Sequence, residues 1–224
     1  PESCLKQYLY LVKKSLQSFH FGLLTLLYFA CTILKYINML DNSLILSSSH
    51  LNQGIHDLWK YSVINMSNYE DTHQVGFIMN QQVLNFDMKL IPKVYSIEAP
   101  LPKTACPIYC GGPVSTDKIT IIHSSEYQNT KTTPLNEYSS LTFNDQIFYD
   151  IEQGKGPRKW KIMLGYCAWL PGQLETEIDQ KHSWMIADCD EYMWGNYKKK
   201  TKMWTRIVEK KGEEQASQFL SSLA

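Results

Sequence analysis

The 224-residue sequence predicts a single α+β domain with an appendage, and three observations carry that reading. Short aliphatic and aromatic runs bounded by Asn, Asp, Ser and Gly recur from Ser43 onward, as strands do. Amphipathic stretches are interleaved with them, without the steady alternation that builds a doubly wound parallel sheet. No internal repeat is visible, which argues against solenoids and propellers.

In chain order, residues 43–47, 60–66 and 75–79 read as the first three strands. Residues 93–107 read as a loop, because Pro100, Pro102 and Pro107 restrict their predecessors to extended backbone. Strands follow at 107–110 and 118–123, separated by the turn signal Gly111-Gly112-Pro113, and the polar stretch 128–140 reads as an exposed loop. Asn144 is a natural N-cap for a helix through Gln153, stopped by Gly154 and Gly156. The continuous apolar run 160–169 is a strand, 171–181 a helix opened by Pro171 and Gly172, and 184–187 a strand. Residues 201–211 close as an amphipathic helix with Met203, Trp204, Ile207 and Val208 on one face and Gly212 as its stop.

Residues 1–38 differ from the rest. Phe19 to Leu34 is strongly apolar, with Lys6, Lys13 and Lys14 in front. Three readings stand side by side: a short membrane anchor, a helix packed on the body, or translated upstream sequence preceding Met39. Membrane contact is expected only from the first of them. The expected division is therefore an extension at 1–38, a folded body at 39–212 that folds without it, and a tail at 213–224.

Composition removes several function classes. With 22 Lys+Arg against 22 Asp+Glu the formal charge is zero, so a phosphate-gripping nucleic-acid module is not indicated, and no helix-turn-helix pattern supports direct DNA binding. Arginine occurs only at Arg158 and Arg206, too few for a cluster of bidentate clamps. The six cysteines are scattered through a chain large enough to fold without staples, which reads as reduced intracellular thiols and not a disulfide framework. Cys106 and Cys110 form a CxxxC near His123, but the apolar Ile108 and Tyr109 between them look like strand, so no metal is expected. No cofactor motif is present: there is no P-loop, no GxGxxG opening a helix, no HExxH and no GxSxG elbow.

Two segments remain informative. In PIYCGGPVSTDKITIIHSSEY, Gly111 and Gly112 allow a backbone nest with free N–H groups, the competing reading being a plain tight turn. In LGYCAWLPGQLETEIDQKHSWMIAD, a strand runs into a helix whose first turn holds Gln173 and Glu175. Glu175 is suited there to capping free N–H groups, and Glu177, two residues on, points to another side. Because both motifs sit at strand ends, Gly111, Gly112, His123, Gly172, Gln173 and Glu175 are expected in one neighbourhood, suited to a small anionic ligand or a protein partner.

These residues also carry a resemblance. GGPV, the His123-Ser-Ser-Glu-Tyr that follows, GYCAWLPGQLETEI, the later Trp184 and Trp204 before a Lys-Gly pair together resemble the AlgH/YqgE-like family, in order and spacing, from about Met39 to Gly212. Gly76 and Asn80 match its third strand, whereas Ser47-Ser48-Ser49-His50 replaces the small, Pro-containing turn of other members. The resemblance implies a branched sheet curled into a pseudo-barrel with flanking helices. It implies no catalytic residues, and a role as transcriptional regulator only by transfer of the family's name. The leading expectation is a non-enzymatic cytoplasmic regulatory or binding protein. The alternative is a hydrolase-type enzyme with His123 as base, Glu175 orienting it and the glycine turn stabilising an oxyanion.

Overall fold

The structure is a computed structural model that describes residues 40, 43–52, 57–67, 74–83, 108–195 and 199–222. The expectations for residues 1–38 and for the proline-rich loop fall outside these residues, as do those for Cys4, Cys31 and Cys106. Among these residues nine strands form one sheet: β1 (Ser43–Ser47), β2 (Val63–Ser67), β3 (Gln74–Ile78), β4 (Ile108–Cys110), β5 (Val114–Ser124), β6 (Thr132–Asn136), β7 (Ser139–Thr142), β8 (Trp160–Trp169) and β9 (Trp184–Asp188). The helices that lie within the described residues are α1 (Ser49–Asn52), α2 (Gln146–Glu152), α3 (Gln173–Asp179) and α4 (Lys200–Ser222), with a 3-10 turn at Glu191–Trp194.

The sheet order is β6-β7-β5-β8-β3-β2-β1-β9, antiparallel throughout, and it branches at β8, where β4 joins in parallel. The first half of β8 pairs with β5 and β4 and the second half with β3. This branched, curled sheet with helices outside it is the α+β architecture expected from the sequence.

Period-two alternation sorts the strand side chains between the two faces. Leu44 and Leu46 enter one core with Val63, Phe77, Met163 and, from α4, Met203 and Ile207. Ile45 enters the opposite face with Ile64, Ile78, Cys167, Trp169 and Leu174 of α3. That opposite face holds a second cluster, Ile108, Ile121 and Ile162 under Ile147 and Phe148 of α2. On β8 the alternation slips by one at Gly165, so Ile162 lies under α2 whereas Cys167 and Trp169 lie under α3. Gly165 has φ of 67°, and β5 shifts register against β8 at the same point, between Val114 and Ile119.

Two expectations are corrected. The stretch 128–140 is not simply an exposed loop, because Thr132–Asn136 and Ser139–Thr142 form a hairpin at one edge of the sheet. Its polar side chains conceal the pattern: Ser139 and Thr142 are fully buried, and Asn136 and Ser139 bond to the equally buried Asn65 of β2. Gly212 does not stop α4, which continues to Ser222. Glu213, Glu214, Gln215 and Ala216 are good helix formers, and one glycine costs only about 1 kcal/mol in a helix. Asn144 serves the start of α2, its Oδ1 accepting from Gln146 N–H at 3.0 Å, although Asp145 holds the N-cap position itself.

Candidate functional site

The corner where β8 passes into α3 collects most of the singled-out residues. Trp169 ends the strand, Leu170 stands 61% exposed, and Gly172 takes the N-cap of α3 with φ of 80°. Gln173 Oε1 accepts from Leu170 N–H at 3.1 Å while its Nε2 donates to Glu177 Oε1 at 3.0 Å, so this side chain closes the turn on itself. Glu177 Oε2 then accepts the indole N–H groups of Trp169 at 3.0 Å and Trp184 at 2.8 Å. The rings of Trp169 and Trp59 both meet Trp184 edge-on, with centroids 6.2 and 5.8 Å away. Glu175 makes no cap bond; its Oε1 accepts from Gln74 Nε2 at 2.9 Å, reaching across to β3. The expectation that Glu175 caps its own helix is thus replaced by a tie to the sheet.

The glycine turn is spent on packing. Gly111 N–H donates to Leu164 O at 2.8 Å, and Gly111 O accepts from Ile78 N–H at 2.9 Å. A Cβ on Gly111 would lie 2.3 Å from Gly165 O, one on Gly112 2.2 Å from the Tyr166 carbonyl carbon, and one on Gly165 2.6 Å from Gly112 O. Three glycines therefore let two backbone segments cross in contact, and both turn glycines are buried. The open nest expected from Gly111 and Gly112 does not form, because the Gly111 donor points into the sheet.

His123 lies elsewhere. It is fully buried on β5 opposite Trp160, whereas Gly112 lies against Tyr166, about 20 Å further along β8 at ~3.3 Å per residue. Its ring nitrogens lie 3.0 Å from Ser124 O and 3.0 Å from Thr142 Oγ1, and its ring meets Tyr127 edge-on. Burial holds its pKa below the ordinary imidazole value. The expected neighbourhood is thus divided: Gly172, Gln173 and Glu175 share the corner, Gly111 and Gly112 sit about 13 Å along β3 from it, and His123 occupies the far end of β8.

The AlgH-like family model matches residues 44–216. The chain belongs to the AlgH-like family. Among its AlgH-like relatives, a UPF0301 protein of Rickettsia felis is 32% identical over 154 residues, which is 69% of this chain and 79% of that protein. One of Rickettsia akari is 31% identical over the same shares. The solution structure of AlgH from Pseudomonas aeruginosa superposes with a TM-score of 0.60 at 22% identity, covering 76% of this chain and 88% of that one. A crystal structure from Corynebacterium diphtheriae gives 0.57 at 14% identity, over 76% and 86%. At such identities these two structures bear on the fold alone.

Asn80, one of the residues that carry the AlgH-like resemblance, fastens the start of α4 to β2. Its Oδ1 accepts from Val63 N–H at 3.1 Å, and its Nδ2 donates to Tyr61 O and Lys200 O. Gln74 and Leu170, an ordinary polar and an ordinary apolar residue, carry no signal in the sequence that would single them out. Lys161 does carry one, as the only charged residue in the β8 run. Cys110, Cys167 and Cys189 are free, and no group of three or more His, Cys, Asp or Glu among the described residues is placed to hold a metal ion. No helix among them is long and apolar enough to cross a membrane.

Proposed function

We propose that this AlgH-like chain is a non-enzymatic regulatory protein of the cytoplasm that works by binding a protein partner or small ligand at the β8–α3 corner. One observation carries the reading. At that corner the polar side chains are engaged inside the fold, Glu177 by two indoles and Glu175 by Gln74, while Leu170 stands out from this rigid frame at 61% exposure. Carboxylates spent as structural acceptors are poorly placed to exchange protons with a substrate, whereas an apolar side chain on a fixed turn offers a contact that costs little ordering on binding. The hydrolase alternative needs His123 beside Glu175, and the length of β8 lies between them.

The test pairs an assay with a complementation. Leu170→Lys, which leaves the thermal melt unchanged, should fail to restore the transcript profile of a strain lacking the gene, and the purified chain should not turn over ester, amide or phosphoester substrates above blank. Full complementation by Leu170→Lys, or turnover that vanishes in His123→Gln, overturns the proposal.

A further inference from the structure

Lys161 is 4% exposed, and its Nζ lies inside the core rather than at the surface. It donates to Met79 O at 2.7 Å, just past the end of β3, and to Met193 O at 3.2 Å in the 3-10 turn, and it lies 4.4 Å from the centre of the Tyr109 ring on β4. One amine thereby joins β8 to three other segments. We propose that Lys161 is a proton-sensitive tie, whose charging loosens the 3-10 turn Glu191–Trp194 from the sheet.

The groups that touch the amine carry no charge. Tyr109 faces it from β4; Met79 and Met193 offer only carbonyls; its register partner on β5 is Ile122; and α4 brings Met203 and Ile207 to the same core. The Cys189 thiol of that core is pushed up to about 12 by burial and stays protonated near neutrality. Asp190, beside the 3-10 turn, gives its carboxylate to Lys210 at 2.5 Å, and no carboxylate among the described residues forms an ion pair with Lys161. A neutral amine has two N–H donors, which match the two carbonyls. An ammonium carries in addition a full charge that the dry core leaves without an anion. Burial alone pulls the Lys161 pKa down to about 7.

Charging is therefore relieved by letting water in, and the 3-10 turn is the segment that yields. It spans four residues and holds the amine by the longer of the two bonds, whereas Met79 follows directly on a strand paired on both sides. The sign follows from linkage. In the opened form Lys161 regains an ordinary pKa near 10.5, so between there and about 7 the opened form binds the proton and the closed form does not. Lowering the pH across that interval favours opening, and below it both forms are charged and the effect levels off.

Amide hydrogen exchange of the full chain, corrected for the intrinsic pH dependence, reads this directly. Protection of the Glu191–Trp194 amides, taken relative to those of β1 and β2, should fall by up to about tenfold per pH unit from pH 9 to pH 7 and then level. Lys161→Met should flatten that profile. A flat wild-type profile, or one that persists in Lys161→Met, overturns the proposal. If Lys161→Met does not fold, the ζ-amine of wild-type Lys161 is titrated by NMR: a midpoint near 7 together with the levelling supports the tie, and a midpoint near 10 overturns it.

Discussion

The side-chain amide of Gln74 donates to the carboxylate of Glu175 over 2.9 Å, joining the first residue of β3 to the first turn of α3 across 101 positions of sequence. The bond fixes the corner that carries Leu170, because α3 has no side-chain cap of its own to hold its start. It also explains why a carboxylate suited by position to capping does something else.

The two partners should not be equivalent in cost. Gln74→Ala leaves the Glu175 carboxylate, whose Oε2 is already buried without a partner, with no donor at all, and should cost about 2 kcal/mol. Removing the carboxylate as well relieves that penalty. In denaturant unfolding the double variant Gln74→Ala/Glu175→Ala should therefore be more stable than Gln74→Ala alone; simple additivity of the two single changes would show that the bond does not couple them.

The crossing of Gly111, Gly112 and Gly165 makes a second prediction. Gly112→Ala drives a methyl into the Tyr166 backbone, which has no flexible side chain to yield, and should cost at least about 3 kcal/mol. Gly212→Ala, in open space within α4, should instead gain up to about 1 kcal/mol. A loss of stability there, seen in thermal melts, would restore Gly212 to the role of helix stop.

Much of this fold is legible in the sequence where burial and period agree. The strands Ser43–Ser47 and Trp160–Trp169 match the sequence reading residue for residue, since the first is a Leu-Ile-Leu run bounded by serines and the second is apolar at every position but Lys161 and Gly165. The β6–β7 hairpin is not legible, because only Leu135 and Leu141 of its buried members are apolar, while the buried Ser139 and Thr142 are satisfied by Asn65 and His123, a pairing visible only in three dimensions. The slip at Gly165 has a local sign, a glycine inside a strand, but nothing in the chain tells which backbone it admits. The candidate site is half legible. PGQLE marks the corner, whereas His123 looks available because a histidine beside polar residues reads the same whether it faces water or the core.

Glu177 holds the aromatic cluster together, and its removal should be felt by all three tryptophans. Glu177→Ala strands the indole N–H groups of Trp169 and Trp184, residues 4% and 6% exposed, at about 1–3 kcal/mol for each donor left unpaired. Glu177→Gln keeps an acceptor oxygen and should cost less. Tryptophan emission checks the assignment: a red shift is expected in Glu177→Ala and little change in Glu177→Gln, and equal shifts in both would mean that the charge, not the acceptor, orders the cluster.

The last prediction concerns acid. Burial is the largest influence on His123 and lowers its pKa in the folded chain below the ordinary 6.5, so between that value and the lower folded one the unfolded chain binds the proton and the folded chain does not. Stability contributed by neutral His123 is thus present above about pH 6.5 and is lost as the pH falls through the folded pKa, with a slope of at most about 1.4 kcal/mol per pH unit. Asp150, lowered by its bond from Tyr127, and Glu126, lowered by its bonds from Arg158 and Ser124, act only further down, in the carboxylate range. His123→Gln should be less stable than the wild type at pH 7.5, since Thr142 and Ser124 lose well-placed partners, yet its unfolding midpoint should change less between pH 6.5 and 5. Parallel profiles for the two proteins over that interval would mean that another group carries the acid sensitivity and that His123 takes up its proton equally in the folded and unfolded chains.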